Sequence, residues 1–236
     1  MTAKRALFVL TSTGEIPGLD RATGWYADEF AAPYFAVRDA GFAVDVASIA
    51  GGAAPVDPKS LGSDDDRKPA VARMLADDEA MTAIRDTRPI ADVSADGYDL
   101  VFLPGGHGVM WDFAQSEALA KVVGEAYRRG AVVGAVCHGP AGLLGATDED
   151  GQSILKGRRV NGFTDAEERA VELEDVVPYL LETQMRALGG AFENSGLFEA
   201  HAVRDGNLVT GQNPASVDLV AKRLLEALAD RLADAA

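Results

Sequence analysis

Apolar residues along this chain fall into two kinds of run. Continuous stretches at Ala6–Leu10, Phe42–Ser48, Leu100–Leu103, Ala131–Val136 and Leu208–Thr210 are too short for helices and read as strands. Between them lie longer helical patterns: Trp25–Ala40, Ala70–Ala83, Ser116–Arg129, Glu167–Leu173, Val177–Leu188 and Pro214–Leu232. The last of these places Val217, Val220, Leu224, Leu228 and Leu232 on one face, with Arg223 and Arg231 elsewhere. Strands alternating with helices predict βα units, hence an α/β fold with a mostly parallel sheet. Ala50 to Pro69 breaks the pattern with Gly51-Gly52, Pro55, Pro58, Gly62 and the run Asp64-Asp65-Asp66. Its flanks are too fragmentary to close separate cores. The expectation is one domain over 1–236, with a loop excursion at about 50–69 overhanging a site.

Composition narrows the possible partners. The 236 residues carry 22 Lys and Arg against 37 Asp and Glu, a net charge of −15. That balance argues against nucleic acid and against anionic membrane surfaces, both of which recruit stripes of Lys and Arg. No stretch approaches the ~18 apolar residues of a membrane helix. The run Ala6–Leu10 is also too short for the apolar segment of a signal peptide. One Cys excludes an internal disulfide framework and any cysteine-built metal cage, and three His leave little for a metal site. A lone thiol fits a reducing compartment, so the expected location is cytoplasmic.

The candidate chemistry sits where a strand ends abruptly. Ala135-Val-Cys137-His-Gly139 has the form small–x–nucleophile–x–Gly of a nucleophile elbow, and Pro140 suits the first turn of a helix. Such a turn places the sulfur above a helix N-terminus, which favours a thiolate. It also aims the His138 N–H at an oxyanion. A second turn, Pro104-Gly105-Gly106-His107-Gly108, lacks the dinucleotide-binding spacing, but the Gly106 N–H can complete an oxyanion hole beside Cys137.

Five segments in order resemble the ThiJ/PfpI superfamily, with its class I glutamine amidotransferase-like fold, and within it the glyoxalase III and heat-shock-chaperone branch. They are Thr23-Gly24 with Glu29 downstream, Pro104–Gly108, Ala135–Pro140, Gly162-Phe-Thr-Asp165 and Thr210-Gly-Gln-Asn-Pro214. The resemblance implies a flavodoxin-like three-layer sandwich, a homodimer, and Cys137 as nucleophile with His138 as its partner. It assigns Glu168 as the acid completing a Cys–His–Glu set, with the adjacent Glu167 read as a surface charge. It also brings Glu29 to the thiol, where a buried carboxyl stays protonated and shuttles protons. His107 touches substrate or plays a structural part. His201 reads as a residue without chemistry, and no His-x-Glu follows the elbow, which disfavours glutamine amide transfer.

The activity implied is a glutathione-independent glyoxalase, acting on a small 2-oxoaldehyde without cofactor or metal. Cys137 adds to the aldehyde, Gly106 and His138 hold the oxyanion, and His138 or Glu29 moves the proton. The competing readings are a stress chaperone or cysteine oxidation sensor, and a Cys peptidase or deglycase of the same superfamily.

Overall fold

Residues 4–234 are described by a computed structural model. Its strands are β1 (Arg5–Leu10), β2 (Ala43–Ser48), β3 (Arg88–Pro89), β4 (Leu100–Leu103), β5 (Val132–Val136), β6 (Arg159–Val160), β7 (Ala191–Phe192), β8 (Ala202–Asp205) and β9 (Leu208–Gly211). Seven of them form one sheet in the order β3-β2-β1-β4-β5-β9-β8, and β6 pairs with β7 apart from it. Every pairing in the large sheet is parallel except β8 with β9.

The five strands expected from the sequence are the five central ones. Both faces of a parallel sheet are covered at its centre, so β4 and β5 are apolar throughout and β1 is apolar after Arg5, while β2, nearer the edge, carries Asp45. In β1, Ala6, Phe8 and Leu10 pack on one face and Leu7 and Val9 on the other. Phe8 meets Phe30, Tyr34 and Phe102 at ring-centroid distances of 5.6, 5.9 and 5.0 Å. The edge strands β3 and β8 escape sequence reading. One is two residues long and ends in Pro89; the other carries Arg204 and Asp205.

Helix α1 (Ala27–Asp39) covers the first face together with α8 (Val217–Asp234), while α5 (Glu117–Arg128) covers the second. The pattern read as a single helix over Ala70–Ala83 is two, α2 (Pro69–Ala76) and α3 (Asp78–Arg85). Asp77 separates them in extended conformation, and its carboxylate caps α3 by accepting from Ala80 N at 2.9 Å. A short helix, α4 (Val109–Asp112), has no counterpart in the sequence pattern. Helix α6 (Asp165–Ala170) begins two residues early because Thr164 and Glu167 form a capping box. Helix α7 (Leu181–Ala187) is shorter than its apolar pattern, and Pro214–Ser216 is a 3-10 turn leading into α8. Among the described residues no helix is long and apolar enough to cross a membrane.

Strand order reverses beside β1, which has β2 on one side and β4 on the other. In open parallel sheets, the loops leaving the carboxyl ends at such a point diverge and open a crevice. Here those loops lead from β1 to α1, from β4 to α4 and out of β5.

Candidate active site

Cys137 comes directly after β5 and holds φ at 59°, a left-handed conformation uncommon for a residue with a side chain. Two backbone bonds fix it: Cys137 N donates to Gly211 O at 2.9 Å, and Phe163 N donates to Cys137 O at 2.8 Å. The expected elbow is present, but its helix is not. The chain continues instead into a five-residue 3-10 turn, Gly139–Leu143, and the thiol is buried at 4% exposure. Burial, and after it the nearby Glu29 carboxyl, pushes the thiol well above its ordinary range, while the N–H groups of Gly106 and His138 pull it down. The expected dipole-stabilised, low-pKa thiol is therefore corrected. A protonated thiol rests here until a base takes its proton.

A basic nitrogen is within reach of it. His138 Nδ1 lies 3.3 Å from the sulfur, and Nε2 lies 2.7 Å from Glu168 Oε2. Glu168 reaches the site from the first turn of α6, with its other oxygen 2.8 Å from His107 Nε2. Burial alone would raise this carboxyl, but the two imidazoles override it and hold it far below the usual carboxylate range. An ionised carboxylate only accepts, so both imidazoles donate through Nε2, and Nδ1 of His138 keeps a lone pair toward sulfur. His107 is pushed down by burial and then by His138. Its pairing with Glu168 had no signal in the sequence.

Glu29 lies in the first turn of α1, fully buried, where Oε2 accepts from Gly105 N at 2.8 Å. Burial pushes its carboxyl up to about 8, with the nearby Cys137 thiol and the Gly105 N–H acting against that rise, while Oε1 has no hydrogen-bond partner among the described residues. The two acids share a site that tolerates one negative charge. With Glu29 protonated, a sulfur that gives up its proton faces the N–H groups of Gly106 and His138 rather than a second anion. Glycine is required where these donors approach. A Cβ on Gly105 would lie 2.6 Å from Val136 O, and one on Gly106, at φ +101°, would lie 2.2 Å from Gly24 O.

Glu167 is not the surface charge expected of it. It is fully buried, and five donors converge on it. Oε1 accepts from Phe198 N at 2.9 Å, Gln212 Nε2 at 2.9 Å and Asn213 Nδ2 at 2.8 Å. Oε2 accepts from Thr164 N at 2.9 Å and Oγ1 at 3.0 Å. The carboxylate thus ties together the backbones that carry Phe163, Phe198 and Pro214.

Those three side chains, with Val171, form the apolar wall of a pocket of about 370 Å³ whose lining includes Cys137, His138, His107 and Gly106. Phe198 holds φ at 57°, a second strained residue at the site. Arg21, Tyr26, Asp57 and Lys59 make the polar wall, so the excursion after residue 50 does reach the site. His201 lies outside this lining. Its nearest charged partner is Glu193, at 3.8 Å.

Residues 22–227 match the model of the DJ-1/PfpI family. The chain belongs to that family. Over 236 aligned residues it is 31% identical to the glutathione-independent glyoxalase HSP31 of Saccharomyces cerevisiae, covering 97% of this chain and 99% of the relative. It superposes on the crystal structure of glyoxalase III from Candida albicans with a TM-score of 0.87 at 28% identity, over 95% of this chain and 97% of the other. The rapid encystment protein of 24 kDa from Francisella tularensis gives 0.90 at 32% identity, over 95% and 99%.

For a DJ-1/PfpI protein with this geometry, the available chemistry is covalent catalysis at carbonyl carbon: a nucleophile, an adjacent base oriented by a carboxylate, and backbone donors beside the sulfur. The same region can hold a metal. His107, His138 and Glu168 offer three ligand atoms within 4.8 Å of one another. An ion there would displace both imidazole–carboxylate hydrogen bonds and remove His138 as a base.

Proposed function

We propose that this DJ-1/PfpI protein is a glutathione-independent glyoxalase that converts methylglyoxal or glyoxal to the corresponding hydroxy acid. The observation that carries the reading is the Cys137–His138–Glu168 relay, at 3.3 and 2.7 Å, with Glu29 buried beside the sulfur.

In this mechanism His138 Nδ1 takes the thiol proton, sulfur adds to the aldehyde carbon, and the imidazolium returns that proton to the former carbonyl oxygen, leaving His138 neutral. The resulting hemithioacetal oxygen accepts from the N–H groups of Gly106 and His138. Glu29, acting from its ionised form, takes the C1 proton to give the enediol and returns it to C2 while the hydroxyl proton passes from O1 to O2; its carboxyl, at about 8, exchanges a proton in both directions near neutral pH. The product is a thioester on Cys137. Water activated by His138 hydrolyses it, releasing the hydroxy acid and restoring the thiol. The thiol of the protein fills the place that glutathione fills in other glyoxalases. The homodimer remains part of the proposal, to be checked by light scattering.

Purified protein incubated with methylglyoxal, without thiols, is expected to consume the aldehyde and release an equal amount of lactate. Loss of aldehyde without lactate would indicate simple adduct formation and refute the reading.

A further inference from the structure

We propose that Arg21 and Lys59 form a carboxylate-binding subsite at the polar wall of the catalytic pocket, so that the preferred substrates are 2-oxoaldehydes with a terminal carboxylate. This deepens, and rests on, the glyoxalase reading.

The pocket, at about 370 Å³, is larger than methylglyoxal fills. Its lining also carries charge, and in an unusual balance. Although the chain holds 37 acidic and 22 basic residues, this pocket is lined by Arg21 and Lys59 against Asp57 alone. Neither cation forms an ion pair among the described residues, whereas most arginines on this molecule do. Asp57 is buried and occupied, with Oδ1 accepting from Lys59 N at 2.9 Å.

Arg21 also has a buried Nε with no hydrogen-bond partner among the described residues. A guanidinium binds a carboxylate best along the edge formed by Nε and one terminal nitrogen, through two parallel hydrogen bonds. An unpartnered donor on that edge, on a side chain lining the pocket, is what such a ligand would satisfy. Tyr26 contributes a neutral hydroxyl, since burial keeps it protonated up to about 12. Among the lining residues themselves, two cations and one carboxylate leave a single positive charge, with the ionised Glu168 set behind the two imidazoles. That matches a monoanionic carboxylate better than a phosphate dianion. The hydrocarbon between carboxylate and aldehyde then lies against Phe163, Phe198 and Val171.

The test compares 4,5-dioxopentanoate with 2-oxopentanal, an uncharged aldehyde of the same length. Wild-type protein is expected to favour the anion in kcat/KM by about tenfold or more, as a two-pronged charged hydrogen bond provides. Arg21→Gln should abolish that ratio, and Arg21→Lys, which keeps the charge but loses the edge, should leave it intermediate. A ratio near one in wild type, or one unaffected by Arg21→Gln, overturns the subsite. Levulinate, which keeps the carboxylate but has no aldehyde, is titrated calorimetrically into Cys137→Ser protein with and without Arg21→Gln. Arg21-dependent binding without turnover of any aldehyde would uphold the subsite while the glyoxalase reading fails. Turnover of methylglyoxal with no Arg21-dependent levulinate binding would sink the subsite alone.

Discussion

Cys137 owes its proposed reactivity to neighbours that handle protons rather than to a permanently charged sulfur. Replacing it by Ser keeps the shape but installs a hydroxyl that His138 cannot ionise to a useful extent. Lactate formation by Cys137→Ser should fall by at least about a thousandfold, with the circular dichroism spectrum unchanged. Glu29→Gln keeps a hydrogen-bond donor but cannot carry a proton, so kcat should drop by roughly 10²–10⁴. The same variant has a thermodynamic signature. A carboxyl near 4.5 in the unfolded chain and raised to about 8 in the fold binds more protons when folded. Its contribution to stability is therefore full below pH 4.5 and is lost as pH rises to about 8. Denaturation of both proteins across this window should show Glu29→Gln gaining on wild type as pH rises, then levelling; a constant difference would contradict a buried, titrating Glu29. At this scale Cys137 and His138 are legible in the sequence, because an elbow is a local pattern. Glu29 is legible only through resemblance, being one of 37 acidic residues. The Glu168–His107 contact joins residues 61 apart, one on α6 and the other in the turn after β4, and no local pattern links them.

Helix α6 shows how an element can be read correctly in type and wrongly in orientation. Glu167-Glu168-Arg169 has the look of a solvated turn, yet both glutamates are buried. Apart from Thr164 at the helix's own N-cap, the partners of Glu167 come from the turns after β7 and β9, and those of Glu168 from the turns after β4 and β5, which no window centred on α6 includes. Glu167→Gln turns an all-accepting group into one whose NH₂ must face donors from Gln212, Asn213 or Thr164. We expect a loss of about 2–4 kcal/mol in urea unfolding, where a surface charge would cost less than about 0.5. The KM should rise with it, because the backbones carrying Phe198 and Pro214 lose their tie. Asp77 makes a related point: the apolar rhythm runs across it unbroken, while its capping bond ends one helix and begins another. The central strands were legible because burial on both faces demands unbroken apolar runs; the edge strands were not, because nothing demands them there.

For the molecule as a whole, the arrangement predicts turnover that survives exhaustive chelation in buffer free of thiols, with lactate assayed afterwards. Zinc added back should suppress it, by drawing His107, His138 and Glu168 into coordination, and chelator should restore it. Activity that requires zinc would replace covalent catalysis with metal chemistry. The crevice at the carboxyl edge of the sheet also divides labour between two materials. Its floor, where Gly105 and Gly106 press against Val136, His138 and Gly24, is main chain packed on main chain with no space for a single added carbon. Its walls are side chains borne on separate loops: Arg21, Lys59, Val171 and Phe198. Random mutation therefore meets a closed door at the floor and open ones around it. A library randomised at those four wall positions should yield variants with altered aldehyde preference that still form the thioester, whereas alanine at either glycine should be absent from the survivors. Evolution, natural or in a flask, can explore new substrates here without reopening the question of how the reaction is done.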